Sequence, residues 1–382
     1  MEKKFKIALV VYTSGLDYDD RIRKEIVSVQ GLYPNIEFNI FALYDKNFSE
    51  EGVTSYGVPY KVYKLKSREK YPSTTHIFLK SWEFFRTVKP ELKNYDAIWC
   101  ADFHVFLFVL LLHGKPMLWD LHELPMMLMG KWWGRTLFSY IEKKLKVIIH
   151  ANKPRMDYMA LLGMVKMPQK HYVLRNYPEF NEIDIEYDDT YKQFDKWLGE
   201  SECVYLQGLT DYERADVESI SAVLDTPGLK AVIVGNTDST LRERLETIYD
   251  KEVMKERLFF TGRIKQLKTP QYIKKCIMAL VFYKKTNMNN WYCEPNRFFQ
   301  NVLNGTPVVI GSNPPMKELV DKYGIGVCAE TDGCDVEKIK DAIKQLLKEK
   351  DLYKKRCHEF AGEFTWASQQ KVINELMRAF IQ

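Results

Sequence analysis

Two polar side chains four residues apart, Asn296 and Gln300, sit in the run Glu294-Pro-Asn-Arg-Phe-Phe-Gln-Asn-Val-Leu-Asn-Gly-Thr-Pro-Val-Val-Ile310. A helix through this run carries both on one face, while Phe298, Phe299, Val302 and Leu303 form an apolar stripe that packs on a sheet. Pro295 suits the helix's first turn, Gly305 its end, and the residues after Gly305 a buried strand. At the mouth of an α/β sheet, the first N–H groups of such a helix, together with Arg297, suit a diphosphate. The plainer reading is an amphipathic helix with a polar outer face.

Other polar clusters stand just beyond strand candidates. Tyr205-Leu-Gln-Gly-Leu-Thr-Asp-Tyr-Glu-Arg-Ala215 is a strand-to-helix turn with Gly208 and Arg214, and a guanidinium can bind phosphate through two parallel bonds. Phe260-Thr-Gly-Arg-Ile264 puts Gly262 and Arg263 after a strand. Tyr95 to His104 and Leu118 to Pro125 place Asp102, His104, His122 and Glu123 at strand carboxyl ends, the side on which Rossmann-like sheets bind ligands. The two histidines also have a plainer reading as hydrogen-bonded structural residues. Thr13 to Glu25 turns from the first strand into a helix whose core face is Ile22, Ile26 and Val29, leaving Asp20 and Arg21 near its start. Asp17-Tyr-Asp19 spells an Asp-x-Asp metal motif, but metal-dependent sugar transferases carry it after a later strand, so no metal site is expected. The same loop lacks GxGxxG, which argues against a nicotinamide.

Two α/β series must position these clusters. The first runs through strand candidates at 7–12, 37–43, 60–65, 97–100, 117–121, 147–150 and 172–175. The second begins at 203–206 and continues at 231–234, 258–261, 279–282, 307–310 and 326–328, with helices near 212–225, 238–254, 267–276, 296–304 and 335–349. Residues 178–200, rich in Asp, Glu, Asn and Tyr with little apolar periodicity, read as a linker. The expected domains are therefore 1–190 and 191–365. A last helix over 366–382, apolar at Ala367, Val372, Ile373, Leu376 and Phe380, is expected to pack back on the first domain.

Composition agrees with a folded two-domain chain: 382 residues, 46% hydrophobic and 28% charged, with no low-complexity tract. The apolar run behind the basic start is too short for a signal peptide. The longest, Val105 to Leu112, is far below the roughly 20 residues that span a bilayer. Seven scattered cysteines without a CxxC pair fit reduced cytoplasmic thiols and support neither disulfides nor zinc. A net charge of +5 does not point to nucleic acid.

The 294–310 run resembles the donor-site signature of retaining glycosyltransferases of family 4, in the variant Pro-Asn-Lys, then Glu, then Gly-x-Pro-Val. Other segments are similar to that family in the same order, over most of the chain. The resemblance implies a GT-B fold, a nucleotide-diphosphate sugar as donor substrate, and no metal or other cofactor. It implies that Gly208 and Arg214 face the donor diphosphate, that the loop at Gly262 and Arg263 holds the base, and that Pro295, Asn296, Arg297 and Gln300 complete the donor site. Asp19 to Ile22 matches the family's Asp-x-Arg-Ile, so Gly15, Asp20, Arg21 and His104 are acceptor-side candidates. His122 resembles the histidine beside the transferred sugar, with Glu123 and Asp102 as neighbouring catalytic candidates. Gln300 replaces the family's ribose-holding glutamate, Arg297 its lysine, and Ala215 a glycine.

The expected activity is hexosyl transfer to a glycan or lipid-linked acceptor by front-face displacement, in surface-polysaccharide synthesis. The alternatives are a non-catalytic nucleotide-sugar-binding partner subunit, motivated by Gln300, and a nucleotide-sugar epimerase on the same fold. Met126 to Phe138 and Lys143 to Lys146 mix Met, Trp and basic residues, as peripheral helices on a cytoplasmic membrane face do. A buried helix with an aromatic face explains them equally well.

Overall fold

The computed structural model describes residues 4–13, 16, 19–44, 49–72, 75–179 and 188–381. Gly15 and Asp17 lie outside the described residues. The chain forms two compact units, residues 1–176 with 369–382, and residues 177–368. The division falls at Tyr177, upstream of the boundary near 190 read from the sequence.

The first unit carries a sheet of β1 (Phe5–Val11), β2 (Ile36–Leu43), β3 (Glu51–Val53), β4 (Pro59–Tyr63), β5 (Ala97–Ala101), β6 (Met117–Leu121), β7 (Val147–His150) and β8 (His171–Val173). Their spatial order is β3-β4-β2-β1-β5-β6-β7-β8. All pairs are parallel except β3 with β4. β3 has no counterpart in the sequence reading: its three residues, Glu51-Gly-Val53, carry no apolar run and sit on the sheet's edge.

The second unit's sheet holds β9 (Glu202–Gln207), β10 (Leu229–Val234), β11 (Leu258–Gly262), β12 (Met278–Val281), β13 (Val308–Ile310) and β14 (Gly326–Cys328). Its order is β11-β10-β9-β12-β13-β14, parallel throughout. Such strands are near-continuous apolar runs because both faces are covered. Alternation still sorts them: Cys203 and Tyr205 pack on one side of the sheet and Val204 and Leu206 on the other. In both sheets the strand order reverses beside the first strand, between β1 and β5 and between β9 and β12. Doubly wound sheets bind ligands in the crevice outside those strand ends.

Three expectations about helices need correction. The linker is partly helical: Asp189–Leu198 begins on Asp188, whose carboxylate accepts from the Tyr191 N–H. It buries Tyr191, Phe194 and Leu198 against Tyr272 and Phe259. The span 238–254 divides into the Leu241–Glu246 and Lys251–Arg257 helices. The 296–303 helix has no solvated polar face, since Arg297 through Leu303 are all buried. Gly305, just past it, has φ +76°, and a Cβ there would lie 2.2 Å from the His358 ring, so both conformation and space demand glycine.

The last helix, Gln370–Ile381, belongs to the first unit. It buries Ile373, Leu376, Met377 and Phe380, with Phe380 edge-on to Trp99 of β5. Asn374 accepts from the Tyr33 hydroxyl at 2.6 Å.

Candidate functional site

The first half-site lies at the carboxyl ends of β1, β5 and β6. The Asp20–Leu32 helix starts here, with Asp19 capping the Ile22 N–H at 3.3 Å. Arg21 and Glu25, one turn apart, point inward at Asp120 of β6. Arg21 grips Asp120 through Nε at 3.1 Å and Nη2 at 2.8 Å, while Nη1 donates to the Leu174 carbonyl at 3.1 Å. At 5% exposure this guanidinium is committed to internal partners rather than presented to an acceptor. Asp20 is more open, and pairs with Arg23 at 2.6 Å and with Lys24 at 2.9 Å.

Just past β6, two residues beyond Asp120, His122 Nε2 lies 2.9 Å from Asp120 Oδ2, the oxygen that also accepts from Arg21 Nε. Burial alone would lower the His122 pKa, but the Asp120 carboxylate outweighs it by charge and hydrogen bond and holds it up at about 9. Burial would likewise raise Asp120, yet Arg21 and His122 keep it well below the usual carboxylate range. At Glu25 the same two cations are outweighed. Its Oε1 stands 2.9 Å from Arg21 Nε, but neither oxygen makes a hydrogen bond, and burial followed by the neighbouring Asp120 charge pushes its pKa well up. The cluster is therefore an imidazolium and a guanidinium sharing one carboxylate, beside a second carboxyl whose pKa is pushed up.

Oxygen and nitrogen atoms of Glu25, Asp120 and His122 lie within 4.8 Å of one another, a grouping that could hold a metal ion. Arg21 already supplies the cation that such a set demands.

Beside this cluster, Asp102 holds a non-glycine positive φ of 76° at the end of β5, a conformation that persists only where the surroundings impose it. Its carboxylate accepts from the Phe103 N–H at 2.5 Å and meets His104 Nδ1 at 2.8 Å. That bond raises the His104 pKa, against burial. His104 also stacks on Tyr12 at 5.2 Å. Glu123 is exposed. Sequence reasoning missed Asp120 and Glu25. The signals were present: Asp120 and His122 are two apart at a strand end, and Arg21 and Glu25 are four apart on a helix.

The second half-site is built at the ends of β9 and β12. Gly208 has φ +64°, and a Cβ there would meet Arg214 Nη1 at 3.0 Å. That same nitrogen donates to the Gly208 carbonyl at 2.7 Å, folding the turn around the half-buried arginine. Arg297, on the first turn of its helix, reaches back to the carbonyls of Gln207 and of Phe282, the latter at 3.1 Å. Its Nε is buried and without a hydrogen bond. The two guanidinium carbons lie 5.7 Å and 4.9 Å from the Tyr283 ring centroid, Arg214 and Arg297 respectively, so one aromatic ring organises both cations.

Glu213, another residue absent from the sequence reading, fastens this turn: its carboxylate accepts from Thr286 Oγ1 and Asn290 Nδ2, both at 2.7 Å. Ala215, at the expected glycine, indeed takes a left-handed φ of 51°. Pro295 caps the 296–303 helix without a side-chain bond to its free N–H groups. Asn296 is half-buried and Gln300 buried on that helix. Gly262, φ +65°, pairs with Gly235 at the end of β11, and Arg263 next to it is exposed.

Two parallel α/β sheets with these strand orders define the class: the chain has the two-domain GT-B fold of glycosyltransferases. It matches sucrose-phosphate synthase from Thermosynechococcus elongatus with a TM-score of 0.77 at 15% identity, over 99% of each chain. It matches the Anabaena protein HepE, solved with UDP-glucose, with a TM-score of 0.68 at 14% identity, over 98% of this chain and 99% of that one. A UDP-forming trehalose-phosphate synthase from Burkholderia xenovorans gives 0.69 at 11% identity, over 99% of this chain and 100% of that one. Within the second unit, residues 217–362 match the family described as glycosyl transferases group 1. No curated protein matches the chain in sequence.

Proposed function

We propose that this chain transfers a hexosyl unit from a UDP-sugar to a glycan or lipid-linked acceptor, with retention at the anomeric carbon and without a metal ion, in surface-polysaccharide synthesis. The observation that carries the reading is the Arg214–Tyr283–Arg297 arrangement at the switch point of the second sheet, beside a segment of glycosyl transferases group 1. HepE, solved with UDP-glucose, supports UDP as the nucleotide.

In the proposed reaction the acceptor oxygen forms the new bond to the anomeric carbon as the bond to the diphosphate oxygen breaks. The acceptor's proton passes to the departing diphosphate. Arg214 balances the charge that develops there, fixed in place before the reaction begins. Arg297, tied to strand carbonyls, contributes through its field and its first-turn N–H rather than by direct grip. His122 takes a different part from that of a neutral base. Its raised pKa keeps it an imidazolium, which would oppose an oxocarbenium if placed against it, so it donates a hydrogen bond to a sugar hydroxyl while Asp120 fixes its ring.

Trp132 is 74% exposed, with Met126, Met127 and Trp133 also exposed, near Lys131 and Arg135. This supports peripheral membrane contact through the Trp132–Lys144 helix. Among the described residues no helix is long and apolar enough to cross a membrane. Liposome flotation that leaves all the protein in solution argues against the contact.

Calorimetry with nucleoside diphosphates and their sugars tests the reading. UDP and one UDP-sugar bind the wild type, and Arg214→Ala weakens both. Failure of every nucleotide to bind at sub-millimolar concentration overturns it. Gln300 favours one second reading, a subunit that binds donor without turnover, because an amide holds a ribose hydroxyl less strongly than a carboxylate does. A protein that binds donor yet stays silent with every acceptor, before and after Gln300→Glu, supports that reading instead.

A further inference from the structure

The Lys66–Lys70 and Ile77–Val88 helices, which follow β4 and precede β5, flank an open pocket of about 610 Å³, within the range of small-molecule sites. It shares no lining residue with the half-site at Asp120 and His122. Lys66, Lys70 and Arg86 line it, with Glu83 as the one acid. Among the described residues Glu83 forms no salt bridge with them. Its two oxygens accept from the backbone N–H groups of Lys66 at 2.8 Å and Ser67 at 2.9 Å, closing the first turn of the shorter helix. Among the described residues none of the three cations forms a salt bridge; Lys70 lies instead 5.4 Å over the Tyr71 ring.

The remaining lining is partly apolar. Phe84, Phe85 and Val88 of the longer helix point to the core, yet Trp82, which lines the pocket beside Leu79, is 40% exposed. A flat aromatic surface next to unpaired cations matches a ligand with an apolar face and a negative group. A pyranose presents such a face in its ring C–H groups, and a phosphate or carboxylate suits the planar guanidinium.

We propose that this pocket binds an anionic saccharide, its phosphate or carboxylate held by Arg86 and Lys70 and its ring laid on Trp82. The proposal is independent of donor binding by the second unit. The ligand has two possible sources with one chemistry, a free sugar phosphate or the phosphorylated head group of a lipid.

The test uses the full chain and three solution probes, glucose 1-phosphate, glucose and inorganic phosphate, with phosphatidylcholine vesicles carrying or lacking phosphatidylinositol. Glucose 1-phosphate is expected to bind more tightly than either of the other two solutes. The Lys70→Ala/Arg86→Ala double variant should weaken it by roughly tenfold or more, the scale of one lost bond to a charged group. Trp82→Ala should weaken glucose 1-phosphate while leaving inorganic phosphate unchanged. Urea-unfolding transitions, unaltered in all variants, report that the first unit remains folded. Flotation with phosphatidylinositol vesicles that the double variant abolishes, without solution binding, assigns the head group as the source. The proposal fails if neither probe class binds, or if binding survives the double variant.

Discussion

The two sheets share the order of six parallel strands, β4-β2-β1-β5-β6-β7 and β11-β10-β9-β12-β13-β14, yet their switch points hold opposite kinds of polar chemistry. At β1 and β5 the charges are spent on one another: Arg21, Asp120 and His122 form a closed cluster, with Glu25 beside it. At β9 and β12 the cations lean on a ring and on backbone carbonyls, and among the described residues no carboxylate forms a salt bridge with them. The difference separates two tasks. A closed cluster fixes the position and protonation of one group, His122, while uncancelled arginines leave positive potential for a ligand to meet.

The largest expected effect breaks the closed cluster. Asp120→Asn leaves Arg21 buried without its counter-charge, and should destabilise the first unit by about 3–5 kcal/mol, measured by urea unfolding. A loss below about 1 kcal/mol would mean the cluster is open to water and the comparison is wrong. Arg214→Ala should do the reverse, changing stability by only about 1 kcal/mol, the scale of its bond to the Gly208 carbonyl, while lowering UDP affinity roughly tenfold to a hundredfold, read by calorimetry.

Acidity sharpens the contrast inside the first unit. His122 is held up at about 9 from an ordinary 6.5, so its contribution to stability is full below 6.5 and fades as pH rises toward 9. His150, at the end of the adjacent strand β7, behaves oppositely. Burial, then the His171 ring that it meets at 2.7 Å, press it down to about 3. Below pH 6.5 the unfolded chain takes a proton that the folded His150 refuses, so stability falls from there toward pH 3. Melting temperatures across pH should show both limbs, with His122→Gln flattening the alkaline one and His150→Gln the acid one. Loss of both slopes in either variant would mean that the two rings titrate as one group.

The smallest effect is expected at Ala215. Glycine would relieve its left-handed backbone but lose a buried methyl and add chain entropy, three terms of about 1 kcal/mol each. Ala215→Gly should therefore shift stability by less than about 1 kcal/mol, measured by thermal unfolding.

Much of the fold was legible in the sequence because parallel strands are continuous apolar runs. Met117–Leu121, Val147–His150 and Gly326–Cys328 lie where the residues alone put them. The helix at 189–198 was obscured because its buried stripe, Tyr191, Phe194 and Leu198, is set among acids and lysines that outweigh it in composition. Of the candidate site, Arg214 and His122 could be placed beyond strand ends and Arg297 in the first turn of a helix. The site was not readable in what holds them, since Arg21 reaches Asp120 across 99 residues and Glu213 reaches Asn290 across 77. No local periodicity encodes contacts of that range.

The last helix closes the first unit but is made after the whole of the second. While the chain is being synthesised, the flank of β5 that Phe380 covers at Trp99 stays open until residues 370–381 have left the ribosome. The second unit, complete by residue 368, can finish folding first, reversing the usual order in which amino-terminal domains lead. A chain stalled or cut shortly before Gln370 would thus carry a finished second unit beside a first unit with its aromatic core uncovered, a ready target for chaperones and proteases.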